Sequence, residues 1–388
     1  MDKLQERFSK LLRDTNTTFH RYMYTQIHWK SRMIGLTGPR GVGKTTLILQ
    51  YIKENLPRNL SLYVTAEDFY FADHKLLELA DQFTKQGGKY LFIDEIHKYN
   101  DWAKELKLIY DYHPELNLVF TGSSILDINK GASDLSRRAT MYHMQGLSFR
   151  EYLSLFHGMA FPAYSLPEIL QHPSDFPRDF RPLPLFHEYL KQGYYPFSHI
   201  EYETSLLQIV TQTLESDIPQ YANMNVSTGR KLKQLLAIIA KSVPFKPNIS
   251  TIAGALNVSR NSVADYCLFI EEAGLIAQLR DDTGGIRGLG KVDKIYLDNP
   301  NLIYTLGAGQ ADTGNIRETF FLNQMRVNHD VVSSSVSDFL IDGHTFEVGG
   351  RNKGKKQIQG IENAYVVKDD IEFGYMNVLP LWLFGFNY

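Results

Sequence analysis

The chain has 388 residues, of which 43% are hydrophobic and 22% charged, with a formal net charge of -2. That length allows two or three domains with buried cores, and the composition excludes a disordered chain and a globally basic nucleic-acid coat. A single cysteine, Cys267, excludes an internal disulfide, and its apolar helical setting predicts a buried thiol. No apolar run reaches the length of a membrane span, and Met1-Asp2-Lys3-Leu4-Gln5-Glu6-Arg7 has no signal-peptide core, so a cytoplasmic protein without a membrane partner is expected.

The first element that carries chemistry is a short apolar run, Met33-Ile34-Gly35-Leu36-Thr37, read as a buried strand. It leads into Gly38-Pro39-Arg40-Gly41-Val42-Gly43-Lys44-Thr45, which fits G-x-x-x-x-G-K-[ST] without a mismatch. Thr46 to Glu54 then has helical spacing. Glycines let such a loop wrap an anion with its N–H groups turned inward, and the helix N-terminus adds partial positive charge. Residues 38–46 are therefore the expected nucleotide cradle. Lys44 is expected on the β- and γ-phosphates, and the Thr45 hydroxyl on Mg²⁺.

Strand and helix signals keep alternating. Leu60 to Val64 reads as a strand, Asp73 to Gln86 as a helix, and Tyr90-Leu91-Phe92-Ile93 as a strand ending in Asp94 and Glu95. This alternation predicts an α/β fold with a parallel sheet and helices on both faces, its ligands bound beyond the carboxyl ends of the strands. Asp94 is the expected Mg²⁺-holding acid, and Glu95 the base that polarises the attacking water. Asn117 to Thr121 reads as the next strand. At its tip Ser123 is the first choice for a residue sensing the γ-phosphate, with Thr121 and Ser124 as alternatives. Arg137 and Arg138 precede the strand-like Thr140 to Met144, where Arg138 is placed for an arginine finger, in cis or toward a neighbouring subunit. Asp94-Glu95-Ile96-His97 has the outline of a helicase box, but no second set of helicase motifs accompanies it.

Between about Gly158 and Pro184 the density of proline and aromatic residues predicts an irregular connector packed on the nucleotide-binding core, flanked by helices at Phe149 to Phe156 and Leu185 to Gln192. A helical stripe from Gly229, a short helix Ile249 to Leu256, the turn Asn257-Val258-Ser259 and a longer helix Arg260 to Ala273 have the spacing of a helix-turn-helix. Arg280 to Ile295 supplies a wing-like hairpin. In a DNA-binding version Ser259, Arg260, Asn261 and Ser262 would meet the major groove, although Asp265, Glu271 and Glu272 on that helix repel phosphate. Protein docking is the other use of such a unit.

Several of these pieces resemble one family. Thr37 to Thr46, Leu91 to Ile96, Phe120-Thr121-Gly122-Ser123-Ser124, Arg138-Ala139 and Leu147-Ser148-Phe149-Arg150-Glu151-Tyr152 are similar to prokaryotic AAA-type ATPases with a C-terminal domain of uncharacterised function. The likeness continues in Phe186 to Pro196 and Asp217-Ile218. It implies ATP rather than GTP, and no guanine-reading N-K-x-D stands at a strand end. The C-terminal part resembles the restriction-endonuclease-like domain that accompanies these ATPases. In a working version a helix glutamate, a strand-end aspartate and an E-x-K tripeptide gather Mg²⁺ and activate water. By that resemblance Glu318, Asp338 and Glu347 take the acidic positions, while Gly349 stands where the lysine belongs. Lys353, Lys355 and Lys356 are the nearby replacements.

The expected organisation is a P-loop AAA-type ATPase domain (1–155), a helical connector or lid (156–228), a winged-helix-like domain (229–298) and a degenerate nuclease-like α/β domain (299–388). The expected function is Mg²⁺-dependent ATP hydrolysis coupled to movement of the C-terminal modules, acting on DNA or a protein partner. A nucleotide-gated binding switch with little turnover and an ATP-dependent nuclease are the alternatives.

Overall fold

Four largely buried runs of five residues and the mostly exposed edge strand Thr140–His143 form one parallel sheet in the computed structural model. The structure describes residues 1–122, 135, 137–197, 199–222, 224–242, 246–282, 290–307 and 312–388. The chain divides into two units, Met1–Gly146 and Leu147–Tyr388.

The first unit runs α1 (Asp2–Asp14), α2 (Met23–Gln26), β1 (Met33–Thr37), α3 (Lys44–Asn55), β2 (Ser61–Thr65), α4 (Leu76–Lys85), β3 (Tyr90–Asp94), α5 (Trp102–Tyr112), β4 (Asn117–Thr121) and β5 (Thr140–His143). The strand order is β2-β3-β4-β1-β5, and every pairing is parallel. Residues 33 to 37 of β1 are all buried, as a central strand covered on both faces requires. Parallel pairing puts the ends of β1, β3 and β4 on one edge, so the P-loop, Asp94 and Thr121 emerge together. Leu4, Phe8 and Leu12 recur every four residues on α1 and face the core, with the Phe8 ring stacked on Tyr63 of β2. Helix α4 begins at Leu76 rather than at the expected Asp73. Asp68 caps a 3₁₀ turn over Phe69–Ala72 by accepting the Tyr70 N–H at 2.9 Å, and the chain turns once before the helix starts.

The second unit opens with α6 (Phe149–His157), whose Ser148 and Glu151 form a reciprocal capping box. The Ser148 hydroxyl also donates to the Tyr388 carbonyl at 2.8 Å, and Arg150 Nε donates to the same oxygen at 2.8 Å. Helices α7 (Leu166–Leu170), α8 (Pro182–Gln192), α9 (Tyr202–Gln212), α10 (Ile218–Tyr221), α11 (Val226–Ser242), α12 (Ile249–Leu256) and α13 (Arg260–Glu272) follow. The proline-rich connector is irregular apart from α7. Its Phe176 packs edge-on against Trp382 and Phe386, at 5.1 and 5.4 Å between ring centroids, so the connector finds its apolar partners near the chain's end.

Asn257 ends α12 in the left-handed region (φ 51), and Ser259 caps α13 by accepting the Ser262 N–H at 3.0 Å. Strands β6 (Ile276–Arg280) and β7 (Val292–Leu297) pair antiparallel after α13. The wing glycines Gly284, Gly285 and Gly288 lie outside the described residues. Cys267 is buried on α13, and burial pushes its thiol up to about 12. Helices α14 (Pro300–Leu306) and α15 (Thr313–Met325) precede a second five-stranded sheet, β8 (Val332–Ser333), β9 (Phe339–Ile341), β10 (His344–Gly349), β11 (Ala364–Lys368) and β12 (Val378–Pro380). Its order is β12-β11-β10-β9-β8, antiparallel through β8-β9-β10 and parallel through β10-β11-β12. Among the described residues no helix is long and apolar enough to cross a membrane.

Candidate functional site

The P-loop leaves β1 through Gly38, whose φ of +147° and position leave no room for a side chain. A Cβ there would stand 2.2 Å from the Met144 carbonyl oxygen. The loop is thus pressed on the backbone that follows β5, where the Met144 N–H donates to the Thr37 carbonyl at 2.8 Å. Gly43, at φ 99, turns the chain into α3. The expected cradle residues Gly38, Pro39, Arg40, Gly41, Val42, Gly43, Lys44, Thr45 and Thr46 therefore form one strand-loop-helix corner.

Lys44 is buried and folded back on its own loop. Its ammonium donates to the Gly38 and Pro39 carbonyls at 2.8 and 2.9 Å. Burial pulls its pKa down to about 8; Glu95 and Asp94 oppose that shift, and Arg40 reinforces it. Two neutral carbonyls thus hold the lysine at the place where phosphate oxygens would compete for it.

Asp94, at the end of β3, is 3% exposed and surrounded by hydroxyl donors. Thr45 Oγ1 donates to its Oδ2 at 2.7 Å, Tyr63 Oη donates to the same oxygen at 2.7 Å, and Thr121 Oγ1 donates to Oδ1. The Glu95 N–H lies 3.2 Å from Asp94 Oδ1 and 3.3 Å from Thr121 Oγ1. Glu95 itself has φ 52, an uncommon conformation for a residue with a side chain, and its carboxylate stands 3.5 Å from His97 Nε2. The structure therefore brings Lys44, Thr45, Asp94, Glu95 and Thr121 together. The hydroxyl of Thr45 and the carboxylate of Asp94 are hard oxygen donors in mutual contact, a set that suits Mg²⁺.

Ser123 and Ser124 lie outside the described residues. Arg138 does not join the group. Its guanidinium forms a two-pronged pair with Asp111 of α5, at 3.0 and 3.1 Å.

Sequence reading missed two members of the site. Tyr63 is one, a polar-tipped residue inside the apolar run of β2. Arg21 is the other, 5% exposed, donating to the Val42 carbonyl of the P-loop and to the Gln145 and Gly146 carbonyls at 2.8 and 2.7 Å. No motif marks either. The available signals were a tyrosine at strand spacing beside the Walker B strand and a lone arginine just before α2.

A second polar cluster lies in the C-terminal sheet. Glu318 of α15 accepts the Tyr296 hydroxyl at 2.7 Å, and Lys294 stands between it and Asp338, at 3.4 and 3.5 Å. Burial and the neighbouring Asp338 hold Glu318 above the usual carboxylate range, and burial with Glu347 does the same for Asp338. Glu347, 1% exposed, pairs with Lys353. The stem of Lys353 crosses Gly349: a Cβ there would lie 2.6 to 2.7 Å from three of its carbons. Of the three lysines near the expected position, Lys353 is the one whose ammonium reaches Glu347. Lys355 bonds Asn377 instead.

Residues 30–153 match the family described as AAA domain, and residues 183–312 match one described as Domain of unknown function (DUF8612). Residues 30–153, most of which lie in the N-terminal α/β unit, are thus similar to AAA domains. No curated protein matches the chain. Among solved structures the chain is similar to the Walker-type ATPase PABY2304 of Pyrococcus abyssi, at 11% identity and a TM-score of 0.44, over 76% of this chain and 99% of that one. It is also similar to PCH-2 of C. elegans, at 16% identity and a TM-score of 0.27, over 70% of this chain and 67% of that one.

Proposed function

We propose that this chain is a Mg²⁺-dependent ATPase. The observation that carries the reading is the shared oxygen of Asp94: Thr45 reaches it at 2.7 Å from the start of α3, so the P-loop and the end of β3 already meet through two oxygen donors that would hold a metal. Thr45 and Asp94 would hold Mg²⁺, which neutralises charge on the phosphates when bound. Lys44 would exchange its two carbonyl partners for the β- and γ-phosphates. Glu95, beside Asp94 and poised by its backbone conformation, would orient the attacking water and draw its proton. Thr121, seated between Asp94 and the Glu95 amide, supports the sensor position at this strand tip, with Ser123 as the other occupant of that role. Arg138 would act as a finger only after leaving Asp111.

Steady-state ATP turnover of the wild type and of Glu95→Gln, each with and without DNA, tests the reading. ATP bound but never hydrolysed would reduce the chain to a nucleotide-gated switch. Turnover surviving Glu95→Gln would remove Glu95 as the base.

Hydrolysis would drive the C-terminal modules, the helix-turn-helix-like α12 and α13 with the β6-β7 hairpin and the sheet that follows, against DNA or a protein partner. One specific observation favours a nuclease-like reading of that last sheet: Lys353 restores, from four residues downstream, the ammonium missing at Gly349. Glu318, Asp338 and Glu347 would then be the metal-binding acids, and a metal would have to displace Lys294. Cleavage of DNA with Mg²⁺ or Mn²⁺, abolished in Glu347→Ala, would support it. Intact DNA under both metals would leave the cluster a structural ion network.

A further inference from the structure

The polar face of α1 borders a groove of about 700 Å³ whose lining is strongly cationic. Lys3, Arg7, Lys10 and Arg13 project along it from the helix, and Arg58 from the turn before β2 joins them; Glu6 is the one carboxylate. The four helix cations recur every three or four residues. At about 1.5 Å rise per residue they extend over roughly 15 Å, the axial length of about four phosphates on one DNA strand. Arg7 is engaged with Asp68, and Arg13 approaches Asp14 at 3.3 Å. No carboxylate of the described residues pairs with Lys3, Lys10 or Arg58, and all three are exposed. In a chain of net charge -2, such a run is a local feature.

We infer that this groove docks the phosphate backbone of duplex DNA. Its chemistry selects among polyanions. Among the described residues no aromatic side chain lines it, so the described lining offers nothing on which unpaired bases would stack, as single-strand binders do. Its hydroxyl among the described residues, Ser9, has its proton committed to the Gln5 carbonyl at 2.6 Å and no neighbouring amide or aromatic group to join it, so the lining is not built around reading the 2′-hydroxyls of duplex RNA. The apolar face of α1 is occupied, because Leu4, Phe8 and Leu12 are buried in the unit, so the helix has no free face to enter a bilayer. What remains is an array of cations without readers, which matches a base-paired backbone contacted independently of sequence. The assignment holds or fails without ATP.

The test uses the full chain, without nucleotide, and a fluorescent mixed-sequence DNA duplex of about 20 base pairs titrated between about 50 and 200 mM salt. Three neutralised phosphates give an expected log-log salt slope of about -2.7, and each single alanine at Lys3, Lys10 or Arg58 lowers its magnitude by about one. The triple alanine variant is expected to bind at least about tenfold more weakly at the middle of that range. Its ATP affinity and melting temperature should stay at the wild-type values, showing that the fold is intact. DNA affinity that persists unchanged in a folded triple variant overturns the assignment and moves any DNA contact elsewhere on the chain. Failure of the wild type to bind the duplex at the lowest salt overturns it as well. So does tighter binding to a duplex RNA of the same sequence or to phosphatidylserine vesicles.

Discussion

Tyr63 on β2 and Asp94 on β3 share a hydrogen bond of 2.7 Å across the sheet, directed at the same carboxylate oxygen that Thr45 contacts. A buried carboxylate oxygen with two hydroxyl donors is fixed in one rotamer and presents one edge to the P-loop. Hydrogen bonds to charged groups contribute about 1.5–3 kcal/mol, so Tyr63→Phe should lower stability by an amount in that range. With Asp94 less firmly oriented, the Mg²⁺ concentration needed for half-maximal ATP turnover should rise several-fold. A Mg²⁺ titration of turnover, paired with chemical denaturation, checks both; an unaltered Mg²⁺ requirement would make Tyr63 a packing residue only.

Lys44 predicts a specific pH dependence. Burial sets its folded pKa at about 8, below its ordinary 10.5, so between those values the folded protein binds fewer protons than the unfolded one. The burial penalty on the charged form is therefore present at low pH and relieved as the pH climbs through 8, and this residue's contribution to stability improves over that window. Nucleotide binding goes the other way. Phosphate needs the ammonium, so ATP affinity should fall above about pH 8, and binding there should take up a proton. Calorimetry in two buffers of different ionisation enthalpy at alkaline pH would read that proton directly, and Lys44→Met should abolish the binding heat.

Arg21 ties the P-loop carbonyl of Val42 to the carbonyls of Gln145 and Gly146 with one guanidinium. Arg21→Ala removes a shared guanidinium from three carbonyls, two of them in buried hydrogen bonds, and a loss of about 1–3 kcal/mol is expected. Arg21→Lys keeps the charge but not the planar fork, and should recover only part of it. Because Val42 belongs to the proposed phosphate cradle, ATP affinity should drop about tenfold or more in a sample that remains folded at low temperature. Equal ATP affinity in wild type and Arg21→Lys would show that the clamp serves stability alone.

Glu347 is 1% exposed, and Lys353 is its ammonium partner. Only the Glu347 member is buried, the Lys353 side chain being 32% exposed, so Lys353→Met should cost about 1–3 kcal/mol, whereas Lys353→Met combined with Glu347→Leu should recover most of that loss. The surrounding acids add a pH signature. Glu318 and Asp338 are both held above their ordinary pKa, so in the folded state they bind protons more readily than in the unfolded one. Their contribution is present at acid pH and lost as the pH rises through their folded values. Denaturation of Glu318→Gln across that range should show a shallower loss than the wild type.

The proposed nucleotide site could be read from sequence because the chemistry it calls for depends on neighbours in sequence. Gly38 to Thr45 must be contiguous to wrap a phosphate, and Asp94-Glu95 must end an apolar strand to reach it. Tyr63 and Arg21 act across strands and loops, and a lone tyrosine or arginine carries no spacing that reveals this. Arg138 illustrates the reverse case: its position after β4 invited a catalytic role, while Asp111, distant in sequence, supplies its partner. Periodicity gave the helix types at Phe149–His157, Ile249–Leu256 and Arg260–Glu272, while Tyr202–Gln212, Pro300–Leu306 and the strand Ala364–Lys368 carried no such signal; nor did the connector's partners, because Trp382 and Phe386 lie some two hundred residues from Phe176. On the proposed nuclease-like reading, the stand-in for a lysine at 349 was one of three residues by sequence, and the path of the Lys353 stem singles one out.

That path makes positions 349 and 353 rivals for one volume. A side chain at 349 would sit where the Lys353 methylenes now lie, and without Lys353 the space over Gly349 would open above a buried acid. The two positions are therefore tied as a pair. If the nuclease-like reading holds, chains with this sheet should carry lysine at one position or the other and not at both, with a small residue at 349 wherever lysine stands at 353. Such exchange leaves no trace in a fixed three-residue signature, yet it should emerge as mutual exclusion when many sequences are aligned. A pairwise statistic over family members, rather than a motif search, is the instrument suited to finding it.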